Sequence, residues 1–253
     1  MAIQKTEAIV LKNQDIRETS LLVTLFTRNF GKIQGIIKGI RGSRGKINNS
    51  LQSFANSNIV FYERKRGNLH TISQCDLKNF FGNLRKDLKK TSYAYYFSEL
   101  IQDFLQLHDK NEDIFNLLVN SLIALDGEKI DAEILARIFE LQLLSLSGFK
   151  PKIDCCLTCS NEVKDKAFFS FNEGGLLCSR CARNTRGVVT ITHDALFFIH
   201  LLESKKLSEL MHLKIAPSLK KELALVLHQF MQVHSGKKFR SLKFIKQIEG
   251  IKD

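Results

Sequence analysis

Five of the six cysteines fall between Cys155 and Cys181, and four of them form two C-x-x-C pairs, Cys156/Cys159 and Cys178/Cys181. Eighteen residues separate the pairs, a spacing that reads as a four-thiolate metal site. Each pair makes a hairpin that turns two sulfurs toward one ion at ~2.3 Å, and two hairpins complete a tetrahedron around Zn2+. Four cysteine ligands leave no open position for water or substrate, so the expected role is structural. Cys155 adjoins the first pair, but using it would stretch that hairpin to C-x-x-x-C. Cys156 is the preferred ligand, with Cys155 as the alternative.

Other reactive side chains are not organised for catalysis. The seven histidines are scattered, without H-E-x-x-H spacing or a deaminase arrangement. No nucleophile elbow or dinucleotide fingerprint is present. Gly45-Lys46 is followed by Ile47, and Ile40 stands where a phosphate cradle needs its first glycine. The chain is expected not to be an enzyme.

The elements that must position the cysteines come next. Ala167 to Phe171 reads as a short strand, and Glu173-Gly174-Gly175 as a turn before Leu176 and Leu177 return to Cys178. This zinc-pinned ribbon, at about residues 150–187, is too small to bury a core and is expected to pack on a larger body. Around it the pattern is helical. Apolar residues recur at three- and four-residue steps from Tyr93 to Leu105 and from Ile114 to Leu125. A helix apolar on most sides runs from about Asp131 to Ser147, and such a helix is usually central. Thr192 opens another, and Pro217 starts one that closes near Gly236. A basic tail follows, with Lys237, Lys238, Arg240, Lys243 and Lys246.

The first 80 residues have a different period. Five strand candidates, Glu7–Lys12, Leu21–Thr27, Gly31–Lys38, Ile59–Tyr62 and Leu69–Ser73, are separated by turn signals such as Asn13-Gln14-Asp15 and Arg66-Gly67-Asn68. Five short strands suggest a closed barrel of the oligonucleotide-binding (OB) type, although an SH3-like barrel would look similar. The expected fold is α+β: a barrel over 1–80, then a helical domain over 81–253 carrying the four-cysteine zinc module.

Charge separates the two parts. Net charge is +12, yet residues 1–80 hold 13 Lys/Arg against 5 Asp/Glu, while 81–253 hold 25 against 21. No acidic residue occurs from Thr19 to Tyr62, a stretch containing Arg28, Lys32, Lys38, Arg41, Arg44 and Lys46. A clustered basic field on a barrel, with several of these residues in a glycine-rich loop, points to phosphate contact and nucleic-acid binding. Phe26, Phe30, Phe61 and Tyr62 are the barrel's candidates for stacking on bases. The aromatics from Tyr93 to Phe104, at helical spacing, belong in a core. Nothing resembles a signal peptide, no apolar run approaches the ~20 residues of a membrane span, and thiols arranged as ligands suit a reducing compartment. A cytoplasmic, nucleoid-associated protein is expected.

The order of parts and several local runs resemble the RecO family of bacterial DNA repair and recombination mediators. The runs are Glu7-Ala8-Ile9-Val10-Leu11, Arg17 to Thr27 with Gly31-Lys32, Lys38-Gly39-Ile40-Arg41 leading to Leu51-Gln52-Ser53-Phe54, and Gly174-Gly175-Leu176-Leu177-Cys178-x-x-Cys181. The chain departs from the family pattern at Cys155, an extra cysteine, and at Ser160, where glycine is common. The resemblance implies a non-enzymatic protein that binds single- and double-stranded DNA and anneals complementary strands. It also implies action with RecR to help load RecA onto DNA coated by single-strand-binding protein, whose C-terminal tail is the contact. Read without the resemblance, barrel and charge would equally suit an RNA-binding zinc-ribbon protein of translation or RNA processing.

Overall fold

The computed structural model describes residues 2–17, 20–38, 49–64, 67–127, 130–210 and 212–250. The N-terminal strands are β1 (Ala2–Arg17), β2 (Ser20–Thr27), β3 (Gly31–Lys38), β4 (Asn56–Glu63) and β5 (Leu69–Asn79). They close into a barrel of order β1-β2-β3-β5-β4. Closure depends on one long strand: β1 pairs with β4 over Ala2–Ile9 and with β2 over Ala8–Arg17. The sole parallel pair among these strands is β3 with β5. This is the five-stranded Greek-key barrel of the OB fold rather than an SH3-like meander.

The sequence pattern places a turn at Asn13-Gln14-Asp15, but β1 continues through these residues, which pair with Val23, Leu22 and Leu21. Register shifts lie on either side, between Val10 and Lys12 and between Asp15 and Arg17. Bulges therefore bend the strand from one partner to the other, and the polar residues serve an outward-facing bend. The interior is filled by alternate residues of every strand, including Val10, Val23, Leu25, Ile33, Ile59, Phe61 and Ile72.

Beyond the barrel run helices α1 (Leu88–Phe104), α2 (Glu112–Asp126) and α3 (Ala132–Leu146). Each begins on a side-chain cap, with Asp87, Asn111 and Asp131 accepting from a first-turn N–H. The ribbon strands β6 (Ala167–Ser170), β7 (Gly175–Cys178) and β8 (Val188–Ile191) follow, with the short helix α4 (Ser179–Ala182) between the last two. Helices α5 (His193–Ser204), α6 (Leu207–Leu210), α7 (Pro217–Ser235) and α8 (Arg240–Ile248) complete the described chain. Thr192 caps α5, and Gly236, with φ 68°, ends α7 in the left-handed region.

Two compact units result. One comprises residues 1–128 together with 239–253, the other residues 129–238. In the first, the Tyr93, Tyr96 and Phe97 side chains are buried, so they serve the core and not a binding face. In the second, α3 buries ten of its fifteen residues and packs against α5 and α7, which makes it the central helix the pattern predicts. Among the described residues, no helix is long and apolar enough to cross a membrane.

Candidate metal centre and nucleic-acid interface

Local hydrogen bonding assembles the cysteine site. The segment around Lys152 is laced to β7: Lys152 N–H donates to Gly174 O (3.0 Å), Leu176 N–H to Lys152 O (2.9 Å) and Leu157 N–H to Leu176 O (2.8 Å). Gly175 permits this approach, because a Cβ there would lie 2.2 Å from Lys152 O. The lacing carries Cys156 and Cys159 to Cys178, which ends β7, and to Cys181 on α4. In the first hairpin Ser160 N–H donates to Cys156 O (2.8 Å), and Ser160 itself takes φ 56°. A left-handed residue is needed to finish this turn, which accounts for a glycine preference at the position.

The four Sγ atoms lie within 4.8 Å of one another, with Cys159 and Cys178 at 3.9 Å. A tetrahedron with arms of ~2.3 Å has edges of about 3.8 Å, so the spacing fits a zinc-sized ion. Cys156 belongs to the cluster and Cys155 does not. Thiol acidity also fits. Burial pushes the Cys156 thiol up, but N–H groups of Cys159, Cys178 and Thr158 outweigh it and lower the value to about 6. Cys181 moves the other way, to about 12, because of its hydrogen bond to Cys178 and its burial. Without a cation the sulfurs resist sharing several negative charges, and a divalent ion removes that conflict. The cluster can hold one metal ion.

The ribbon sits on the helical body of its own unit. The Phe169 ring meets the Phe230 ring of α7 edge-on at 5.3 Å, and Glu222 of α7 accepts from Thr192 N–H (2.7 Å) and Oγ1 (2.8 Å). The third strand, β8, pairs with β6 and is missing from the sequence reading. The β-branched run Val188-Val189-Thr190-Ile191 is the signal that marks it.

The basic residues of the barrel divide into three groups. Lys32 is 9% exposed, and its ammonium donates to the carbonyls of Gln102 (2.5 Å) and Leu105 (2.6 Å). It caps the C-terminus of α1, where carbonyls lack helical partners and a cation is favoured. This geometry makes Lys32 a joint between barrel and helix, its ammonium engaged by carbonyls of the fold. Gly31 shapes the same joint: its φ is 64°, and a Cβ there would lie 2.3 Å from Asp109 O.

Arg28 is likewise engaged within the fold. Its guanidinium reaches Glu7 (3.0 Å), Glu112 (2.8 Å) and Asn116 (2.9 Å), and lies 4.7 Å from the centre of the Phe115 ring. Two carboxylates pair with it, so it clamps β1 and the β2–β3 turn to α2. Lys38 ends β3 with its side chain exposed. Arg41, Arg44 and Lys46 lie outside the described residues. Among the barrel aromatics, Phe26 and Phe61 are buried and Phe30 packs edge-on against Phe61, while Tyr62 is exposed.

Glu7 makes the Arg28 clamp sensitive to pH. Burial raises its carboxyl, but hydrogen bonds from Lys78, Asn56 and Arg28 outweigh this and hold it below its ordinary 4.5. A depressed carboxylate contributes stability that is present above its unfolded value and is lost as pH falls through the folded one. Glu7→Gln should therefore cost about 2 kcal/mol at neutral pH, with the gap to wild type closing below about pH 4. Urea denaturation of both proteins at several pH values checks this, and a gap independent of pH would contradict it.

Residues 1–81 match the family described as "Recombination protein O N terminal", and residues 85–243 match "Recombination protein O C terminal". A DNA repair protein RecO of Alkaliphilus metalliredigens is 34% identical over 245 residues, covering 96% of this chain and 99% of the relative. One from a Thermoanaerobacter species is 33% identical over 251 residues, covering 99% of this chain and all of the relative. With two family regions that together span nearly the whole chain and relatives matched end to end, the chain belongs to the RecO family of DNA repair proteins.

Proposed function

We propose that this protein is a recombination mediator that binds single- and double-stranded DNA through the barrel and anneals complementary strands without turnover chemistry. In this reading it works in the cytoplasm with RecR, contacts single-strand-binding protein through that protein's C-terminal tail, and helps RecA onto the coated strand. Cys156, Cys159, Cys178 and Cys181 hold one structural Zn2+. Lys38, Arg41, Arg44 and Lys46 hold phosphates.

The observation that carries the reading is a closed OB-type barrel in a chain of a DNA repair family, with an acid-free basic stretch from Thr19 to Tyr62. Annealing brings two polyanions together, and basic side chains on the phosphates lower their repulsion while base edges stay free to pair. Pairing supplies the free energy, so no nucleotide need be hydrolysed.

Annealing of complementary strands coated with single-strand-binding protein, with no nucleotide added, is the test. Acceleration supports the mediator reading; binding without annealing would overturn it. The phosphate assignment has its own test. Converting Lys38, Arg41, Arg44 and Lys46 together to alanine should weaken binding to all sequences alike. It should also flatten the plot of log affinity against log salt by about 3, at ~0.7 per single-strand contact. An unchanged slope would sink the assignment.

A further inference from the structure

The basic tail seen in the sequence folds as α8, and the barrel reading makes no use of it. Arg240, Lys243, Phe244 and Gln247 are spaced i, i+3, i+4, i+7, lie on one face of α8, and are exposed. Leu242 and Ile245, on the opposite face, are buried, as is Phe239 against the Tyr96 ring of α1.

Both ends of the helix are fixed to α1. Glu99 accepts from Arg240 N–H (2.9 Å), Ser241 N–H (3.0 Å) and the Ser241 hydroxyl. At the other end Glu249 accepts from the Tyr93 hydroxyl (3.0 Å) and pairs with Lys89 (2.9 Å). Glu99 and Glu249 are thus committed to backbone, hydroxyls and Lys89. Among the described residues, no carboxylate meets the Arg240 or Lys243 side chain.

Cations in the first turn oppose the helix dipole, so local helix stability does not explain Arg240 and Lys243. A lone exposed phenylalanine is ordinary. Phe244, 47% exposed, shares one face with these two cations, an arrangement that can hold phosphates and stack an unpaired base at once.

We infer that the outer face of α8 is a second binding surface for single-stranded nucleic acid. Arg240 and Lys243 contact phosphates and Phe244 stacks on a base, so that one chain holds two strands. The inference rests on the nucleic-acid reading of the barrel and explains how two strands could be brought together. An aromatic ring stacks only on bases that are already unpaired, so the ligand is a single strand rather than a duplex.

The test counts strands per full-length chain by native mass spectrometry at low salt, using short oligothymidylate, which cannot pair with itself. Wild type should bind two, and R240E/K243E should bind one with first-strand affinity unchanged within about twofold. F244A should weaken the second event about tenfold without altering its salt dependence. Equal melting temperature and metal content would establish that the variants fold, and R240A/K243A is a milder second form. Two strands on R240E/K243E, or one strand on wild type, would overturn the α8 surface and leave the barrel reading intact. No strand on wild type would overturn both.

Discussion

Replacing Cys156 by alanine is expected to release the metal and unfold the ribbon while leaving the barrel intact. Apparent binding energies of structural zinc sites are roughly 10–16 kcal/mol at neutral pH, and in a small element that energy largely is the folding energy. The ribbon has few other resources. Its three strands are four residues each, and its buried cluster includes Cys156 itself, Leu177 and Ala182. Elemental analysis should find about one ion per wild-type chain and close to none in the variant. Amide exchange protection should be lost across β6, β7 and β8 but kept in β1 to β5. Cys155→Ala is the control, because this thiol lies outside the cluster, and it should retain the metal. Full metal retention in Cys156→Ala would show that another residue ligates.

The second large effect concerns a buried charge. Glu140 of α3 is 0% exposed, and its partner is Arg137 one turn earlier, at 2.7 Å. The same guanidinium nitrogen lies 2.6 Å from Nε2 of His228 on α7. Nε2 of His228 also lies 3.4 Å from the Glu140 carboxylate, so the three side chains form one cluster. Arg137→Ala would take the guanidinium away from a carboxylate in the most buried helix of its unit, leaving His228 Nε2 beside it at 3.4 Å, at a cost of about 3–5 kcal/mol. Thermal melting should fall by roughly 6–20 °C for a chain of this size. Converting both residues together, as Arg137→Met with Glu140→Leu, should recover most of the loss, because no unpaired charge remains. A single-variant effect below about 1 kcal/mol would contradict the account.

Much of this organisation is legible where one physical signal dominates. The Cys156/Cys159 and Cys178/Cys181 spacing leads directly to four sulfurs within 4.8 Å, since metal geometry leaves few alternatives. The helix expected over Asp131 to Ser147 runs from Ala132 to Leu146, because its apolar positions, its Asp131 cap and its stop all agree. Short polar runs mislead. Asn13-Gln14-Asp15 has turn composition but sits in a bulged strand with two partners, and pairing of that kind is decided by residues far away in sequence. The basic residues are ambiguous for a related reason. Charge is visible in a sequence, but burial and partners are not, so Lys32 and Arg28 look like Lys38 although tertiary contacts turn them inward. The return of α8 to α1 cannot be read either. It depends on Glu99 meeting Arg240 and Ser241 across some 140 residues of intervening chain.

That return has a consequence for synthesis. Residues 129–238 leave the ribosome as one uninterrupted stretch and can fold as they emerge, whereas the barrel's unit is split around them. At about 5–20 residues per second, Tyr96 waits roughly 6–22 s after the end of α2 has been made before Phe239 arrives to cover it. Through that interval the apolar side of α1 that later receives α8 stays open to water and to other nascent chains. The first-made unit is therefore the last to be finished. A ribosome stalled before Phe239 would hold a barrel whose adjoining helix still shows a sticky flank, the kind of surface that chaperones recognise.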